Sequence, residues 1–108
     1  MVEDLRTIRV SSQSRHGLYI TRAKERFATE NEVELHGLGD SIVNVVKAAD
    51  SLCHLGYAEM VSFTTETVTE RNRTVKAVIT LRKTKDFDRL SKEWEEQRAE
   101  PENLLESK

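Results

Sequence analysis

The stretch Val33-Glu34-Leu35-His36-Gly37-Leu38-Gly39-Asp40-Ser41-Ile42-Val43 decides how this chain folds. Val33 and Leu35 alternate with Glu34 and His36, the pattern of a half-buried strand. Two glycines follow. Then Ile42, Val45, Val46, Ala49, Leu52 and Cys53 recur at helical spacing, on one stripe of an amphipathic helix. A strand therefore passes through a glycine turn into a helix, and Gly56 is placed to end that helix.

Upstream, Thr7 to Ser11 alternates apolar and polar residues and predicts a strand. Ser12-Gln13-Ser14-Arg15-His16-Gly17 has the composition of a turn. A helix is expected from Leu18, with Ile20, Ala23 and Phe27 inward and Arg22 and Arg26 on another face. Downstream, a Thr-rich strand from about Met60 to Glu70 meets the turn Arg71-Asn72-Arg73. Val75, Ala77, Ile79 and Leu81 then alternate, so the two segments read as a hairpin. Asp86 is placed to cap a last helix that carries Phe87, Leu90 and Trp94 on one stripe. That stripe is expected to dock on the sheet. Tyr19 and Phe63 are assigned to the core.

The order β-α-β-α-β-β plus a C-terminal helix predicts an α+β, two-layer sandwich: a four-stranded mixed sheet with two helices on one face. Residues 1–6 read as a lead-in, 7–92 as the domain, and 93–108 as an acidic helix end and tail. The second helix is apolar over a wide arc, because Val43 joins its stripe. That width suits either a self-association surface or a fully buried core helix.

With 108 residues the chain has room for one domain and a modest core. Aromatic residues make up 6% of it, so the core must be built from Val, Ile, Leu and Ala. The single Cys53 excludes an internal disulfide. No apolar run is long enough to span a bilayer and no basic-then-apolar leader is visible, so a soluble intracellular protein is expected, cytoplasmic or nuclear. The net charge of -2 hides an asymmetry: residues 1–85 hold 13 Lys/Arg and 11 Asp/Glu, whereas residues 86–108 hold 4 and 8. A mildly basic body carries an acidic tail. The tail either docks its stripe or competes with a polyanion for the basic sites.

Gly37-Leu38-Gly39 starts like a dinucleotide fingerprint, but Ile42 stands where the third glycine belongs. Asp40 would repel a phosphate at the helix N-terminus. No cofactor is expected. Glu32, Glu34 and His36 share one side of a strand, and a small enzyme would use Glu34 and His36; a solvated strand face is the simpler reading. His16, His36, His54 and Cys53 lack metal-ligand spacing. The basic sites Arg15-His16, Arg71-Asn72-Arg73 and Lys76 remain. Guanidinium forks on loop tips suit phosphate oxygens.

Across Thr7 to Lys92 the chain resembles Alba-domain proteins, in particular the eukaryotic branch. The likeness rests on Ile8-Arg9-Val10-Ser11, Leu18-Tyr19-Ile20 with Ala23-Lys24, and Glu32 through Gly39. It continues through Ile42 to Ala49, Arg71 to Val75, and Ile79 to Lys83 with Phe87-Asp88-Arg89-Leu90. The His-Gly-Leu-Gly step also resembles the smaller Alba-type subunit of RNase P and RNase MRP. The resemblance implies a fold like the C-terminal domain of bacterial translation initiation factor three. It implies noncatalytic binding of RNA and DNA, and homo- or heterodimers built around the second helix, here Ile42, Val43, Val46 and Ala49. Nucleic-acid contacts carry over to Ser14, Arg15 and His16 in the first loop and Arg71, Asn72 and Arg73 at the hairpin tip, with Lys24 and Lys76 as additions.

This chain departs from the family pattern in a shorter first loop, in Arg15-His16 where relatives carry a lysine pair, and in Leu38 and Asp40 where archaeal members place arginines. The hairpin becomes the main cationic contact. The expected function is RNA binding, with DNA as a further ligand, by a dimer. The alternative is an interaction subunit of an RNase P/MRP-like particle that binds RNA only with a partner.

Overall fold

The computed structural model describes residues 6–69 and 72–98. The elements are β1 (Thr7–Val10), α1 (His16–Phe27), β2 (Glu32–Leu38), a 3-10 turn (Gly39–Ser41), α2 (Ile42–His54), β3 (Ala58–Thr69), β4 (Arg73–Lys83) and α3 (Phe87–Arg98). The sheet runs β1-β2-β4-β3, with β1 parallel to β2 and the other pairs antiparallel. This is the α+β architecture expected from the sequence.

The core is mainly aliphatic, as the composition suggests, but it also takes in Tyr19, Phe27, Tyr57 and Phe87. Ile8 and Val10 of β1, Val33 and Leu35 of β2, and Ile79 and Leu81 of β4 meet Ala23 and Phe27 of α1 and Val45, Ala48, Ala49 and Leu52 of α2. Burying each larger aliphatic side chain contributes roughly 1.5–3 kcal/mol. Gly37 lets α2 sit close on the sheet: a Cβ there would lie 2.5 Å from Val45 Cγ2 and 3.1 Å from the Ser41 carbonyl. Gly39, at φ +53°, supplies the left-handed turn that redirects the chain into α2.

Three expectations need correction. Helix α1 starts at His16 rather than Leu18, because Gly17 fits a first turn whose N–H groups need no helical partner. Tyr19 is buried as expected, but Phe63 is 48% exposed. A bulge between Met60 and Ser62 sets Phe63 opposite Ile79, on the helix side of the sheet. There, on the edge strand β3, its side chain is left nearly half open to solvent. Finally, α3 docks on the end of the helical layer rather than on the sheet. Phe87 packs edge-on against Phe27 at 5.5 Å and Tyr57 at 5.9 Å, and Leu90 packs against the same cluster. The Lys83 ammonium donates to the Phe27 carbonyl at 2.9 Å, closing the C-terminal end of α1. The change from domain to tail expected at residue 93 falls inside α3, and residues 99–108 lie outside the described residues.

Candidate nucleic-acid interface

Strand β2 accompanies β4 only as far as Leu38, opposite Lys76. Past that point β3 and β4 have only each other: Thr67 faces Val75, Val68 faces Thr74, and Thr69 faces Arg73. The hairpin thus continues as a two-stranded arm with no third strand beside it among the described residues. Asn72 and Arg73 are exposed at its end, and Lys76 is half-buried at its root opposite Glu66. Arg71, assigned to this tip from the sequence, lies outside the described residues.

The first loop is fixed at both ends. Asn44 of α2 donates through Nδ2 to the carbonyls of Ser11 and Ser14, at 2.9 and 2.8 Å. The Ser11 N–H donates to the Tyr19 hydroxyl at 2.9 Å. Those bonds hold Arg15 at the N-cap position of α1, exposed, with half-buried His16 as the first helical residue. No side chain caps this helix and its first turn holds no acid, so its positive end is not offset locally. The turn before α2 is the opposite case, since it carries the exposed Asp40.

Six of the arginines fall into two sets. Arg82 is bound to Glu32 at 3.1 Å, and Arg89 to Glu93 at 3.2 Å and Asp86 at 3.8 Å. By contrast Arg9, Arg15, Arg22 and Arg73 are exposed and make no ion pair among the described residues. Two of these four, Arg9 and Arg22, escaped the sequence reading. Their signal was the lack of a carboxylate opposite them, which only the sheet register and helix packing reveal.

Lys24 does not belong to this surface. It is 8% exposed, with its ammonium over the rings of Trp94 and Tyr57. A phosphate cannot reach it without displacing α3.

A family model for Alba matches residues 6–70. The chain belongs to the Alba family. Members generally bind nucleic acids and are typically noncatalytic. The fold is similar to the crystal structure of ALBA1 from Trypanosoma brucei, with a TM-score of 0.83 and 21% identity over 97% of this chain and 94% of that one. Alba from Thermoplasma volcanium is similar with a TM-score of 0.61 and 20% identity, over 71% of this chain and 99% of that one. No curated protein matches the chain.

Two other surfaces of this Alba domain bear on function. On α2, Val43 is 58% and Val46 40% exposed, with Ile42 half-buried beside them. Ala49, assigned with them to a dimer face, is fully buried in the core and is removed from it. Met60 and Phe63 of β3 are also exposed. On the opposite face of the sheet, His36 Nε2 and Glu34 Oε1 are 2.9 Å apart, and Glu32 is held by Arg82. The acidic and imidazole groups of β2 are thus engaged with neighbours on a solvated strand face. No group of three metal-ligating side chains occurs among the described residues.

Proposed function

We propose that this Alba-family protein is a noncatalytic RNA-binding protein, with DNA as a second ligand, that works as a dimer. Phosphates are gripped by Arg15 and His16 beside Ser14 in the first loop, and by Arg71, Asn72 and Arg73 at the hairpin tip, with Lys76 at the arm's root. The observation that carries this reading is the pairing of the arginines. Arg15 at the first loop and Arg73 on the arm are exposed and make no ion pair among the described residues, while Arg82 and Arg89 are neutralised in place. Uncompensated guanidinium groups are available to phosphate oxygens.

The dimer face of this proposal is the exposed apolar surface of α2, Ile42, Val43 and Val46, continued by Phe63 on β3. Its apolar side chains favour burial against a partner surface. The same face supports a second reading, an interaction subunit of an RNase P/MRP-like particle in which the partner is a different Alba-type chain. Asp40 favours it, because a carboxylate at the entry to α2 disfavours phosphate there. Both readings place the protein in the cytoplasm or nucleus.

Titrating the purified chain with RNA, alone and mixed with a second Alba-type protein, separates the two. Binding by the chain alone is the expected result. Binding only in the mixture supports the interaction subunit, and binding in neither overturns both.

A further inference from the structure

We propose that the exposed flank of α1 formed by Arg15, Leu18 and Arg22 is a platform for single-stranded polynucleotide. It extends the first-loop contact and rests on the RNA-binding reading above. Leu18 and Arg22, four residues apart within α1, share one face of the helix, and Arg15 stands exposed at its N-cap, about 10.5 Å from Arg22 along the axis. Leu18 lies between them, three residues from one and four from the other, and is 40% exposed. Neither guanidinium meets a carboxylate; Glu25, one turn beyond Arg22, makes no ion pair with it.

Arg22 also lies at the outer edge of cation–π range of Tyr19. Its guanidinium carbon lies 6.0 Å from the centroid of the buried Tyr19 ring. The Tyr19 hydroxyl in turn accepts the Ser11 N–H at the start of the first loop. The loop, Tyr19 and Arg22 therefore form one connected unit, and a strand leaving Arg15 meets Arg22 next.

The chemistry of the flank selects its ligand. Two cations separated by an apolar side chain suit a chain with phosphates on its backbone and free bases beside it. A duplex hides its bases within the stack and offers Leu18 nothing to cover.

The test compares Arg22→Gln and Leu18→Asn with the full chain, using oligouridylate, oligothymidylate and an RNA duplex as probes. Both substitutions are at exposed positions, and circular dichroism checks the fold. Arg22→Gln is expected to weaken single-strand binding on the order of fivefold at low salt and to reduce the log-log salt slope by about 1.4, two phosphate contacts per dimer at roughly 0.7 each. Leu18→Asn is expected to weaken single-strand binding about threefold and leave duplex binding unchanged, since a base contact carries little charge. Equal losses on uridylate and thymidylate mean that the platform reads a single strand of either kind; loss on uridylate alone means that it distinguishes the two, by the 2′-hydroxyl or by the thymine methyl group. Wild-type affinity in both variants, while Arg73→Ala still weakens binding, overturns the platform and leaves the RNA-binding reading intact. Failure of the unaltered chain to bind any probe, alone or with an Alba-type partner, overturns both.

Discussion

The Lys24 ammonium lies 3.5 Å from the centroid of the Trp94 ring and 4.6 Å from that of Tyr57. A cation on α1 is thereby enclosed by α3 and by the segment after α2, so a residue that looks like a phosphate ligand in sequence is part of the packing. Lys24→Gln is expected to lower stability by about 1–2 kcal/mol in urea unfolding, the range of a desolvated cation–π contact. RNA affinity should be unchanged. A loss of RNA affinity with unchanged stability would return Lys24 to the binding surface.

Removing the acidic residues with α3 should act through the same contact. Truncation after Lys85 deletes Phe87, Leu90 and Trp94 together, and with them the cover on Phe27 and Tyr57. The expected outcome is a lower melting temperature with little change in RNA affinity per folded molecule. Tighter RNA binding by the truncated chain would show instead that the acidic end competes for the basic tips.

The seat of α2 on β2 depends on a missing side chain. Gly37→Ala would place a methyl 2.5 Å from Val45 Cγ2, inside contact distance, so α2 must shift or Val45 must turn. Overpacking of this kind costs about 1–3 kcal/mol. Adding Val45→Ala should recover part of that loss, and a double-mutant cycle in urea measures the recovery. Additive losses would show that the Ser41 carbonyl, 3.1 Å from the same methyl, sets the limit.

Exposure of Val46 and Phe63 makes the dimer testable without touching the core. Val46→Glu combined with Phe63→Ser should convert dimer to monomer in sedimentation while leaving the circular dichroism spectrum unchanged. Each side chain is on the surface of the single chain, 40% and 48% exposed. A variant that stays dimeric would place the interface elsewhere.

Alkaline pH should weaken the fold through two groups. Burial, followed by the charge of Asp50, raises the Cys53 thiol above its ordinary 9.0, and burial, followed by Glu93, raises the Tyr57 phenol above its ordinary 10.0. The folded state then keeps these protons to higher pH than the unfolded chain does. Their stabilisation is complete below those ordinary values and is lost as pH climbs through the raised ones. Urea unfolding across this range should show falling stability, and Cys53→Ala should flatten the first part of the fall.

Much of the fold was legible because its periodicities are local. Val33 and Leu35 declare β2, the stripe from Ile42 to Leu52 declares α2, and the alternation from Val75 to Leu81 declares β4. What escaped depended on distant partners. Nothing near Lys24 in the sequence shows that Trp94 will cover it. Phe63 reads as core because it is a rare aromatic in a strand, yet on the edge strand it is left nearly half open to solvent. Ala49 shares the α2 stripe with Val46 but turns to the core, a difference of helical rotation that hydrophobicity does not record. At the candidate interface Arg15 and Arg73 were legible as loop residues, whereas Arg22 was not, since a helical arginine shows its freedom only once its neighbours are placed.

The most direct test of the central account is the salt dependence of RNA affinity, measured for the unaltered chain and for Arg15→Ala, Arg71→Ala, Arg73→Ala combined. The proposed dimer carries six of these guanidinium groups, so on that proposal single-stranded RNA should give a log-log slope of about -4 at roughly 0.7 per phosphate. The triple variant should lose most of that slope together with most of its affinity. An unaltered chain whose affinity ignores salt, or a triple variant that binds as the unaltered chain does, would contradict the account.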